Sequence, residues 1–96
     1  IIRGTRIMTR TLLIGDEIAL GNSSAGGTSV SNATVVRLYN GVGSTAVVSM
    51  ASTVGAADTV SFSMPTGHVE FLEKQASYVI WADSTAVRAT KVGFTA

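Results

Sequence analysis

The feature that most limits the folds open to this chain is its rhythm of short β-branched runs, each broken after a few residues by Gly, Asn, Ser or Asp. The run at 58–63 and its continuation are the cleanest case: Val60, Phe62 and Met64 fall on one side of an extended backbone, Thr59, Ser61 and Ser63 on the other. That period of two is what a half-buried strand requires. Comparable runs occupy 33–39, 46–51, 67–73, 78–82 and 87–94. A less regular one covers 5–14, and 16–20 extends it after a turn at Gly15. No stretch sustains helical periodicity.

The breaks carry turn chemistry. Asn40-Gly41-Val42-Gly43 and Gly55-Ala56-Ala57-Asp58 supply residues that tolerate positive φ or bond their own backbone, and Pro65-Thr66-Gly67 reads as a further hairpin. Pro65 also forbids one continuous central strand through 64–69. Turn signals at spacings of about 8 to 12 residues define an all-β fold, a single antiparallel β-sandwich or small barrel of about seven or eight short strands. Residues 1–14 form an N-terminal arm or edge strand, and 15–96 form the sandwich domain. Within it, the Gly/Ser-rich segment 21–31 (GNSSAGGTSVS) is a flexible or irregular loop.

A chain of 96 residues supports one modest core, burying about 64% of the surface its unfolded form exposes. It contains no cysteine, which excludes a disulfide scaffold and a thiolate metal site. Charged residues are 14% of the chain, where soluble domains average about 25%. Eleven serines and twelve threonines fill the gap, so the exterior is dominated by neutral hydroxyls and glycine. Permanent interfaces are depleted of charge, and this balance therefore favours a subunit of an assembly. The long uncharged stretches 18–36 and 38–57 are studded with Gly, Ser, Thr and Asn, and neither reads as a membrane span. The chain begins at Ile1, which leaves room for residues upstream.

Reactive groups are sparse. His68 is the single imidazole, and Asp58, Glu70 and Asp83 are available as carboxylates to orient it; abundant hydroxyls make this no signature of a triad. His68 and Glu70 share a strand face at i and i+2 but supply two metal ligands where zinc takes three or four. Gly41-Val42-Gly43-Ser44-Thr45 has the look of a phosphate loop without its lysine or following helix. The reading is therefore a protein without catalytic residues, metal or cofactor. Arg3, Arg6 and Arg10 place three of the seven positive charges in the first ten residues, and the remainder of the chain is net negative by two, four positive against six negative. A basic arm on such a body suits docking to a neighbouring subunit better than nucleic acid. Tyr78 and Trp81 fall on opposite strand faces, so one of them is available as an interface anchor, whereas Phe62 and Phe71 read as core.

The succession Val35-Val36-Arg37-Leu38-Tyr39-Asn40, Ala46-Val47-Val48, Val60-Ser61-Phe62-Ser63-Met64-Pro65, Val69-Glu70-Phe71-Leu72-Glu73-Lys74 and Val87-Arg88-Ala89-Thr90-Lys91-Val92-Gly93-Phe94 resembles small virion proteins of tailed phages, especially those of cyanobacteria. The resemblance implies a compact β domain on the capsid surface, a decoration or cement protein bound to the major capsid protein or other virion subunits as a trimer or dimer. It implies no catalytic residues. Arg3, Arg6, Arg10, Tyr78 and Trp81 are then the expected interface residues, with no nucleic-acid or membrane partner. A tail, neck or fibre adaptor is the alternative within the virion, and a free carbohydrate-binding β module the alternative outside it.

Overall fold

A computed structural model of the chain describes residues 10–56 and 59–95. Among the described residues eight strands follow in order: β1 (Arg10–Leu13), β2 (Ile18–Ala19), β3 (Val35–Asn40), β4 (Ala46–Ala51), β5 (Val60–Met64), β6 (Val69–Glu73), β7 (Val79–Ala82) and β8 (Val87–Thr95). They form two antiparallel sheets. The larger runs β1-β8-β3-β6, with β2 also on β8; the smaller runs β5-β4-β7. The all-β architecture expected from the alternating runs is the one observed, and it is a sandwich.

Strands β1 and β2 are one interrupted edge strand. Leu13 lies opposite Val92 and Ile18 opposite Ala89, so residues 14–17 oppose only 90–91. The excess is absorbed by a bulge beginning near Gly15, where the Ile14 and Gly15 N–H groups both donate to the Lys91 carbonyl at 2.9 and 3.2 Å.

The links at Asn40 and Pro65 are corners between sheets, whereas the sequence presents Pro65-Thr66-Gly67 as a hairpin. β3 and β6 belong to the larger sheet and β4 and β5 to the smaller, so each link changes layer. Among the described strands, only β4 and β5 are consecutive partners within one sheet. Asn40 is fully buried and organises both corners. Its Nδ2 donates to the carbonyls of Ser44 (3.0 Å) and Met64 (2.9 Å), and its Oδ1 accepts from Val42 N–H at 2.9 Å. Its backbone N–H donates to His68 O, and its carbonyl accepts from Gly67 N–H. The Thr66 hydroxyl adds a bond to the Val42 carbonyl. Gly67 turns the corner at φ 75°, a conformation that costs a side-chain-bearing residue about 1–2 kcal/mol.

The core lies between the layers. Val36, Leu38, Val87 and Ala89 face it from the larger sheet, and Ala46, Val48, Met64, Ile80 and Ala82 from the smaller. Leu20, Val30 and Ala33 close one side. These last residues flank or belong to the Gly/Ser-rich segment, which is irregular but firmly attached. It holds a short 3-10 turn at Ser24–Gly26. Thr28 exchanges both backbone hydrogen bonds with Ile80 (3.0 and 2.9 Å), and Gly21 accepts from Ala82 N–H at 3.0 Å. Gly21 is required there, since a Cβ would sit 2.6 Å from the Gly26 carbonyl oxygen.

Candidate interaction surfaces

Of the expected interface residues, the structure describes Arg10, Tyr78 and Trp81. Arg3 and Arg6 lie outside the described residues. Arg10 opens β1 at the exposed edge of the larger sheet, opposite Thr95. Trp81 lies in the smaller sheet, half-buried on β7 and opposite Ser49 of β4, and Tyr78 is half-buried in the turn before β7. Arg10 and Trp81 therefore belong to different layers.

His68 stands at the corner before β6, its Nε2 2.8 Å from Glu70 Oε1, with both side chains nearly half exposed. Among the described residues no hydroxyl bonds this imidazole, and no group of three or more His, Cys, Asp or Glu side chains gathers for a metal. Asp58, the third carboxylate considered for His68, lies outside the described residues. The glycine-rich 41–45 segment leads into β4, without the helix that a phosphate loop requires. Among the described residues no helix is long and apolar enough to cross a membrane.

What the fold does expose is apolar. Phe71 was expected in the core, but the register sets Leu72 opposite Val36 and Phe71 opposite Arg37. Val36 is buried, so Leu72 faces inward and Phe71 turns out, 42% exposed. There it meets Phe94, 47% exposed, edge to face with ring centroids 5.4 Å apart. Leu12, Leu13 and Ile14 follow on the edge strand, Leu13 at 68% exposure, and Tyr39 adds a ring on β3. The alternation of β8 puts Val92 and Phe94 on one face, and Leu13, opposite Val92, joins them. Sequence reasoning could not locate this face, because 69–73 reads equally well with Phe71 or Leu72 turned inward.

Beside it, the bulge carries a polar recess lined by Leu13, Asp16, Glu17, Arg37 and Thr90. Arg37 Nη1 is 3.8 Å from Glu17 Oε2, a partly exposed pair worth under about 1 kcal/mol. A second recess, apolar and about 100 Å³, opens between the sheets beside β5, lined by Val48, Met50, Val60, Phe62 and Leu72.

No protein-family model, curated protein or solved structure matches the chain.

Proposed function

We propose that this protein is a structural subunit of a phage virion, a capsid decoration or cement protein that binds the major capsid protein and acts by adhesion and not by catalysis. The observation that supports the reading is the apolar outer side of the larger sheet, where Leu13, Phe71 and Phe94 stand exposed beside the edge strand that Arg10 opens. Exposed aliphatic and aromatic groups of this kind are costly in water and mark surfaces that become covered. The low charge of the chain suits burial in a shell, and Arg3, Arg6 and Arg10 suit acidic or carbonyl-rich ground on a neighbouring subunit.

The test is a binding assay on particles that lack the protein. Wild type should saturate the shell with a copy number that tracks the shell subunit, whereas a tail or neck adaptor would stop at a few copies at one vertex. The double substitution Leu13→Asp and Phe94→Asp should lower particle affinity at least about tenfold while leaving the fold intact by circular dichroism. Undiminished decoration by that variant would place the contact elsewhere. Saturation at a few copies would replace decoration with the adaptor reading.

A further inference from the structure

Four strands or strand pairs border the two sheets, and three are protected against pairing with another chain. The outer side of β7 is occupied by Thr28 and Gly21 through three backbone hydrogen bonds. The β6 edge carries Glu70 and Glu73. The β1/β2 edge is broken by the bulge with Asp16 and Glu17. Charges, bulges and covering segments are the usual means of blocking edge-to-edge association. β5 has none of them. Its residues Val60, Ser61, Phe62, Ser63 and Met64 are uncharged and regularly paired to β4, and among the described residues no strand pairs with its other side.

We propose that β5 pairs with β5 of a second copy of this chain, antiparallel about a twofold axis at Phe62, so that two three-stranded sheets become one of six. The orientation of the backbone selects this arrangement. Val47 donates its N–H to Asp83 Oδ1 (3.1 Å) and accepts from Asp83 N–H (3.0 Å), so its polar backbone groups face β7. Alternation then turns those of Val48 toward β5, where it lies opposite Phe62. Phe62 therefore bonds to β4, and Ser61 and Ser63 direct their N–H and C=O groups to the open edge. A twofold axis at Phe62 sets each Ser61 against Ser63 of the other copy, and both such pairs are of the hydrogen-bonded kind.

The order Val-Ser-Phe-Ser-Met is symmetric in polarity about its centre, so serine lies opposite serine on the outer side, and on the core side the exposed Val60 lies opposite Met64 of the other copy, which is already buried within its own monomer. Val60 is 62% exposed although it belongs to the inward-facing set, and the apolar recess beside it lies open. A second copy would cover both. An unrelated partner would need to reproduce this alternation, which a second copy supplies by symmetry. A five-residue strand pair alone covers less than the about 800 Å² per partner of a standard interface. The dimer is therefore concentration-dependent. It is independent of the virion proposal, since it concerns purified protein.

Sedimentation of the purified chain from micromolar to near-millimolar concentration should show a monomer–dimer equilibrium. Ser61→Pro removes an N–H that faces solvent in the monomer, which an edge strand accommodates, and should raise the dissociation constant at least about tenfold. A trapping experiment needs no disruptive variant: the chain has no cysteine, and the pair Ser61 with Ser63 would have Cα atoms about 5.5 Å apart, within disulfide reach. A mixture of Ser61→Cys and Ser63→Cys chains should form a disulfide-linked dimer under mild oxidation at least about tenfold faster than either variant alone. A monomer at every concentration, a dimer indifferent to Ser61→Pro, or equal cross-linking by the single variants would each overturn the proposal. Indifference to Ser61→Pro would place the contact outside β5.

Discussion

At the scale of single residues, stability concentrates in Asn40. A buried amide is costly unless its donors and acceptor are used, and here each has a partner in a different part of the two corners. Asn40→Ala would leave the Ser44 and Met64 carbonyls and the Val42 N–H without that partner in a closed site. The expected loss is about 3 kcal/mol in urea unfolding, and Asn40→Asp should cost at least as much by aiming a carboxylate at two carbonyl oxygens. A loss below about 1 kcal/mol would mean that water or a shifted backbone replaces the amide.

At the scale of an element, the segment before β3 holds the clearest local strain. Val30, Ser31 and Asn32 occupy consecutive positive φ values of 54°, 55° and 57°, one turn of left-handed helix without a glycine. Such a conformation costs about 1–2 kcal/mol per ordinary residue, less for asparagine. Burial of Val30 in the core offsets its share, and the Lys91 ammonium donates to the Ser31 carbonyl at 3.0 Å. Ser31 is exposed and gains no burial in return. Ser31→Gly should therefore stabilise the fold by about 0.5–1 kcal/mol after allowing for the greater freedom of glycine in the unfolded chain, while Asn32→Gly should stay within a few tenths. Thermal melting of the two variants checks the contrast, and equal effects would refute the assignment of strain.

At the scale of the whole molecule, a sparsely charged chain buries one of its cations. Lys74 is almost fully covered, and its ammonium donates to the carbonyls of Gln75, Ala76 and Tyr78 at 3.3, 3.2 and 2.9 Å. Its own N–H donates to Thr34 O, so it joins the end of β6, the entry to β3 and the turn into β7. Burial, reinforced by the charge of Lys91, lowers its pKa from the ordinary 10.5. Between that lowered value and 10.5 the native state has released a proton that the unfolded state retains, so stability from this group rises with pH across the window. Below the window the charged form is carried at a cost. Compared with Lys74→Met, which leaves the three carbonyls without their donor, the wild type should gain relative stability as pH climbs toward 10.5. A loss of wild-type stability relative to Lys74→Met with rising pH, measured by urea midpoints, would contradict this.

Where the strands lie and where the chain turns was legible in the order of the residues. Alternation and turn residues act over a few neighbouring positions, so the strands from β3 to β8 match the runs read from the chain, and 16–20 does extend the first strand past Gly15. Which strands pair was settled by the folded arrangement, and three consequences follow from that. Pairing of β6 with β3 turned Phe71 outward and Leu72 inward, a choice the pattern of 69–73 leaves balanced. Assignment of β5 and β6 to different sheets made Pro65-Thr66-Gly67 a corner and gave Asn40 its partners. The same partition placed Arg10 and Trp81 in separate layers and left β5 as an unguarded edge. The physical reason is common to all three: strand pairing joins residues far apart in sequence, and no local pattern specifies which distant strand will satisfy a given edge.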